Sequence, residues 1–262
     1  MIARLAAVAI VTVAAAAPAQ ARDYCSTRPS IGQSACVLDA GRVAVETALL
    51  DWERETDDGS AEDRFLIGDT LLRIGLTDRV EAQIGWTPLG IVRTRETGAV
   101  RRDHGVGDLS VGARINLRNP DGKGLSIGLQ PSLTLPVGSG GIGDGAWSAE
   151  LIVPVSVDLS DVFNLQFSPT IAAAADEGGE GRHLAYGNVL GLGMTVADGV
   201  AVTLEALTMR DDDPVDPTTQ VAAAAAVGWM ATDDLQFDAG GVFGLNGATP
   251  DARLYGGISY RF

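Results

Sequence analysis

From residue 41 onward the chain alternates apolar and polar or small residues with a period of two. The clearest stretch is residues 66–86. Gly68, Thr70, Leu72 and Ile74 interleave with Asp69, Leu71, Arg73 and Gly75. After a turn, Val80, Ala82, Ile84 and Trp86 interleave with Glu81, Gln83 and Gly85. Two is the side-chain period of a β-strand, so each run predicts a strand with one apolar face. The same alternation fills residues 43–50, 109–117, 125–135, 149–159, 163–171, 186–196, 200–209, 235–243 and 254–262, and it weakens in the alanine run 222–226. About twelve strands are predicted, and the fold class is all-β.

The connections fall into two sets. Short turns are expected at residues 77–78, 119–123, 160–161, 197–199 and 232–234, each carrying Asp, Asn or Gly, which supply turn geometry. Long polar loops are expected at residues 51–64, 87–106, 138–147, 173–183, 210–218 and 246–252. Short turns at one end and long loops at the other predict an antiparallel up-and-down transmembrane β-barrel. Its apolar face meets lipid and its polar face a water-filled lumen. An even strand count returns both termini to the periplasmic, short-turn side. Trp52, Trp86 and Trp147 fall where strands meet long loops; Phe163, Trp229, Phe237, Tyr260 and Phe262 fall near short turns. These are the two aromatic girdles expected at the membrane interfaces. A soluble β-sandwich also alternates, but its outer face is charged. Here the polar positions are rich in Gly, Ser, Thr, Gln and Asn, and the only lysine is Lys123.

The formal net charge of −15 argues against nucleic-acid binding, which needs a basic surface. Residues 1–21 carry one cation, Arg4, then an apolar run closed by Ala19-Gln20-Ala21, and read as a cleaved secretory signal peptide. Residues 22–41 are expected as a periplasmic N-terminal segment and residues 42–262 as the barrel. Cys25 and Cys36, the only cysteines, are expected to form a disulfide in the oxidising periplasm. No metal site and no cofactor are expected.

Alternation places charges inside the barrel. Arg73 and Glu81 share a face only if the turn between their strands holds an odd number of residues, which would make them directly opposed partners. With Arg114 they are the best lumen cluster, as a constriction, a binding group or simple charge neutralisation. Asp69, Asp108, Glu150, Asp158, Glu205 and Asp238 are the other inward acids, so a conducting lumen would favour cations and neutral solutes. Residues 138–143 spell a dinucleotide fingerprint but lack the following helix, and read as a loop. Asp211, Asp212, Asp213 and Asp216 read as solvated loop charge, or as a surface Ca²⁺ or Mg²⁺ site bridging lipopolysaccharide. Two other function classes stand beside a channel. One is a lipid-modifying enzyme, for which His183 would have to approach Ser148. The other is a structural or adhesive barrel.

The terminal strand, ending on Phe262 after Tyr260, resembles the C-terminal signature of bacterial outer-membrane barrels. The segments RIGLTDRVEAQIGW, GVGDLSVGARINL, SLTLPVG and DLQFDAGGVFGLN resemble the outer-membrane family named after the meta-pathway of phenol degradation. The resemblance covers about residues 41–262. It implies a monomeric or weakly oligomeric outer-membrane channel that passes small hydrophobic or aromatic solutes passively. Its partners would be outer-membrane lipid and lipopolysaccharide, the solute, and the barrel-assembly machinery reached through the C-terminal strand. The family brings no catalytic motif.

Overall fold

The computed structural model describes residues 22–57, 59–177 and 181–262. The expected signal peptide lies outside them. Among the described residues there is no helix. The strand segments are β1 (Val43–Asp57), β2 (Ser60–Ile67), β3 (Asp69–Thr77), β4 (Val80–Trp86), β5 (Leu89–Glu96), β6 (Ala99–Gly105), β7 (Leu109–Arg118) and β8 (Leu125–Leu135). They continue as β9 (Ser148–Ile152), β10 (Val155–Asp158), β11 (Phe163–Ala175), β12 (Arg182–Ala197), β13 (Val200–Asp211), β14 (Thr218–Thr232), β15 (Leu235–Gly244) and β16 (Ala252–Arg261).

Four strands are each broken into two segments. β1 pairs with β3 up to Ala48↔Asp69, then with β2 from Asp51↔Leu66, so β2 and β3 are one strand. The break is Gly68, at φ 72°, a left-handed conformation that favours glycine. β4 and β5 join across Thr87-Pro88, and β9 and β10 across Val153-Pro154. Proline donates no ladder hydrogen bond, which interrupts the strand there. β6 and β7 join across Val106-Gly107-Asp108, beside the Thr87 break: the Gly107 amide donates to the Thr87 carbonyl (2.9 Å). Sixteen segments therefore make twelve strands, every pairing is antiparallel, and β16 closes on β1 from Ala44↔Arg261 to Arg54↔Ala252. The fold is a closed twelve-stranded up-and-down barrel.

Two expected long loops are strands instead. Residues 51–64 continue β1 into β2, and residues 87–106 contain β5 and β6. Together they extend the barrel wall beyond the lipid boundary. Their outward face explains why alternation failed there. Arg54 pairs in register with Asp63, and Asp63 with Arg93, on the face that carries Trp52 and Phe65. Arg95 and Arg54 reach Asp63 at 2.9 and 3.5 Å, and Trp52 Nε1 donates to it at 3.3 Å. A charged cluster on the outward face marks where lipid ends, just above Trp52. The alanine run, where alternation also weakens, lies inside β14; Ala222, Ala224 and Ala226 face inward.

The protein is inside out. Its largest fully buried side chains include Arg73, Arg114, Glu46, Glu81 and Asn116. Its exposed side chains include Leu49, Ile84, Phe167, Leu190, Leu204 and Leu254. A soluble sandwich would show the opposite. The aromatics lie on the exposed face at both ends. Trp86 and Trp147 sit toward the long loops, while Trp229, Tyr260 and Phe262 sit toward the short turns. Trp229 stacks on Phe237 (5.9 Å), and Tyr260 meets Phe262 edge-on (4.7 Å).

Candidate functional site: a filled lumen

Residues 22–41 form no regular secondary structure before β1, so their backbone N–H and C=O groups need partners elsewhere. They find them inside the barrel. The segment enters the lumen at the short-turn end, where Cys25 and Cys36 join in a disulfide. Room for it comes from inward glycines: a side chain at Gly75 would strike Asp39, and one at Gly257 would strike Arg28.

Its deepest anchor is a neutral quartet of two arginines and two glutamates, each fully buried. Arg73 lies 2.7 Å from Glu46 and makes a paired contact with Glu81, both bonds 2.9 Å. Arg114 approaches Glu81 at 3.4 Å. On the wall, Arg114 also donates to Gln130 (2.9 Å) and Glu81 accepts from Gln83 (2.8 Å); the other bonds go to the N-terminal segment. Arg73 donates to the carbonyl of Cys25 (2.7 Å), and Arg114 to those of Cys36 (3.2 Å) and the Gln33 side chain (2.9 Å). Glu46 accepts from the Thr27 amide (3.0 Å) and the Tyr24 hydroxyl (3.2 Å), and Glu81 from the Leu38 amide (2.9 Å). Buried charges are tolerated only when paired and hydrogen-bonded, and the segment completes that pairing.

The register differs from the expectation. Arg73 opposes Gln83, and Glu81 opposes Gly75. A two-residue turn, Asp78-Arg79, with a bulge at Leu76 replaces the odd-numbered turn. Parity is kept, so both side chains still face inward, but they meet diagonally. Glu81 directly opposes Arg114 instead.

A second anchor lies across the lumen. Arg28 pairs with Asp238 at 2.7 Å. Glu205 accepts from Ser30 Oγ (2.5 Å), the Ile31 amide (3.0 Å) and the Gly32 amide (2.9 Å). Ser168 exchanges hydrogen bonds with the Gln33 backbone, and Tyr255 donates to the Pro29 carbonyl (2.6 Å).

The other expected inward acids are scattered. Asp69 accepts from Thr87 (2.7 Å). Asp108 accepts the amides of Gly138 and Asp144, drawing the loop after β8 inward, and Ile142 of that loop packs over Gly90. Glu150 lines a cavity of about 480 Å³ toward the long loops. Asp158 shares the inward face of Ser156 but stands exposed at the short-turn rim, where it bonds Gly124 and Asn164. Residues 138–143 are a loop. Both ring nitrogens of His183 face aspartates and neither bonds Ser148. Of the acidic run, Asp212 pairs with Arg210 (2.6 Å), while Asp211 and Asp213 turn to His183 and Asp213 also accepts the amides of Val215 and Asp216.

Sequence reasoning missed Glu46, Asp51, Arg253 and Tyr255, and the lumenal partners on the N-terminal segment. Alternation over residues 43–50 already puts Glu46 on the inward face. Nothing periodic marks the segment itself.

The segment separates two spaces. Residues Arg28–Ile31 and Gln33 floor a cavity of about 500 Å³ that also meets Glu53, Leu207, Val242, Arg253 and Tyr255. Arg22, Asp23 and Tyr24 line another, of about 790 Å³, at the short-turn mouth.

Several solved structures share this architecture. The COG4313 outer membrane channel from Pseudomonas putida F1 matches with a TM-score of 0.70 and 16% identity, over 90% of this chain and 100% of that one. The translocator domain of the autotransporter NalP from Neisseria meningitidis matches at TM-score 0.54 and 12% identity, over 86% and 89% of the two chains. The transport unit of the autotransporter AIDA-I from Escherichia coli matches at 0.53 and 11%, over 85% and 90%. At such identities the likeness shows the outer-membrane barrel fold. No curated protein sequence matches the chain. The family model described as "Putative MetA-pathway of phenol degradation" matches residues 26–262, both the lumenal segment and the whole barrel, and the chain belongs to that family.

Proposed function

We propose that this protein is a passive outer-membrane channel for small solutes, closed at rest by its own N-terminal segment. The observation that carries this reading is the segment's position: residues 22–41 cross the lumen on paired charges and line cavities on either side of themselves. A barrel with only a structural or adhesive role gains nothing from a polar strap with so many wall contacts. The short-turn end, with both ends of the barrel sequence, faces the periplasm, and the β1–β2 and β5–β6 extensions face outward.

Family membership supports an aromatic or otherwise hydrophobic small solute. The 500 Å³ cavity suits one: Leu207, Ala222 and Val242 give an apolar wall, and Arg253 and Tyr255 a polar one. Arg253 is held by Asp51 at 2.5 Å and lies 5.6 Å from the Tyr255 ring centre. An amphiphile with one hydroxyl or carboxyl fits that division. Glu53 and Glu150 leave the vestibule acidic, which favours neutral solutes and cations. We favour a channel over an enzyme, because both ring nitrogens of His183 face carboxylates and Ser148 is not among its partners in the described residues.

The test is solute flux into proteoliposomes, comparing the full mature chain with one lacking residues 22–40. Faster entry of phenol-sized solutes into vesicles carrying the truncated protein supports a channel. Equal impermeability of both overturns it.

A further inference from the structure

At the long-loop mouth, away from the plugged lumen, three carboxylates surround one buried imidazole. His183 is the second residue of β12, Asp176 follows β11, Asp211 ends β13 and Asp213 lies just beyond. The His183 side chain is only 6% exposed. Its Nδ1 lies 3.0 Å from Asp176 Oδ1 and 3.5 Å from Asp213 Oδ2. Its Nε2 lies 2.5 Å from Asp211 Oδ1, off the alignment of a hydrogen bond, and is without a hydrogen-bond partner among the described residues.

Carboxylates only accept hydrogen bonds, and a neutral imidazole has one donor nitrogen. A proton on Nδ1 serves Asp176 and leaves the Nε2 lone pair against Asp211, while a proton on Nε2 leaves the Nδ1 lone pair facing two anions. Something positive must sit between them, either a proton or a metal ion. The 3.0 Å from Nδ1 to Asp176 is also a hydrogen-bond length, but the 3.5 Å to Asp213 is too long for one, and the two together fit a metal. In a tetrahedral site with bonds of about 2.0 Å, neighbouring ligand atoms are about 3.3 Å apart. The observed 3.0 and 3.5 Å bracket that value, and one donor atom from each of Asp176, His183 and Asp213 lies within 4.8 Å of the others. Asp211, 2.5 Å from the far ring nitrogen, stands where a carboxylate commonly supports a metal-bound histidine. Backbone amides of Val215 and Glu177 donate to Asp213 and fix the direction of its carboxylate. One imidazole with two carboxylates suits Zn²⁺ or a similar first-row ion; Ca²⁺ and Mg²⁺ prefer all-oxygen cages.

We infer that His183 Nδ1, Asp176 and Asp213 bind a divalent transition-metal ion of the Zn²⁺ class, with Asp211 orienting the ring. The ion ties the β11–β12 connection to the β13–β14 connection. It stands at the rim of the 480 Å³ cavity, which Asp176 and Asp211 also line.

The test uses the untagged mature protein in detergent, loaded with ZnCl₂, freed of excess metal and assayed for bound zinc, with a Ca²⁺ competition arm. One zinc per chain is expected, undisturbed by Ca²⁺. His183→Gln and Asp213→Asn should weaken binding at least 10-fold, and Asp211→Asn by roughly 10- to 100-fold. Asp212→Asn, whose carboxylate belongs to Arg210, should change nothing. Heat-modifiability on gels confirms that each variant keeps the closed barrel; Asp176→Asn, outside the strands, serves if a strand variant does not. Zinc below stoichiometry in the parent protein, zinc retained in folded His183→Gln, or displacement of zinc by Ca²⁺ would each overturn the site.

Discussion

Glu205 offers a clean way to loosen the lumenal segment without touching the barrel wall. Its side chain points inward from β13, and its hydrogen bonds among the described residues all go to the segment: Ser30 Oγ, the Ile31 amide and the Gly32 amide. No strand pairing depends on it. A hydrogen bond to a charged group contributes about 1.5–3 kcal/mol, so three lost in Glu205→Ala amount to roughly 4–9 kcal/mol gross. The net figure is smaller. Ser30 and Ile31 border the 500 Å³ cavity, so water there re-solvates the freed donors. A net loss of about 2–4 kcal/mol is expected, which is roughly a 30- to 700-fold shift toward release of the segment. The assay is single-channel open probability in a planar bilayer, read beside heat-modifiability to show that the barrel is intact. An intact Glu205→Ala barrel with unchanged open probability refutes the reasoning that these contacts hold the lumen shut.

Other perturbations test other links. Reducing Cys25–Cys36 frees a loop with a sequence separation of 11, worth about 3 kcal/mol of restrained chain entropy, so opening should rise roughly 100-fold on reduction and stay unchanged in a chain already lacking both cysteines. Arg73→Met leaves Glu46 and Glu81 buried without their shared cation; about 3–5 kcal/mol of stability should go, read as a lower urea midpoint in detergent, and an unchanged midpoint contradicts the quartet's role. Deleting Phe262 removes the amide that donates to the Val43 carbonyl at 2.8 Å across the closing seam, along with the aromatic end that assembly machinery is proposed to read. The folded fraction in cell membranes should fall severalfold, and an unchanged fraction would count against that role.

The barrel was readable because two solvents impose a strict period of two, and ten stretches of the chain obey it over most of their length. The readout failed where one solvent takes over. Above Trp52, both faces of β1, β2 and β5 meet water, so Arg54, Asp63, Arg93 and Arg95 stand on the outward face and the strands look like loops. It also failed by one step at Leu76, because a bulge and a two-residue turn satisfy the same parity as a three-residue turn. The inward positions of Arg73, Glu81 and Arg114 follow from alternation alone; their partners do not. Those belong to residues 22–41, whose contacts are one to three residues on each of β1, β3, β4, β7, β11, β13, β15 and β16, with no local periodicity to announce them. The anchoring acids Glu205 and Asp238 could be named from the pattern, but not what they hold.

The central claim is that residues 22–41 close an otherwise conducting barrel. The most direct measurement is planar-bilayer conductance of the refolded mature protein against the same protein lacking residues 22–40. A quiet or rarely open full-length channel, and a steady, larger, cation-preferring conductance after deletion, are the predicted results. Equal conductance from the two proteins, or none from a folded truncated barrel, would contradict the account.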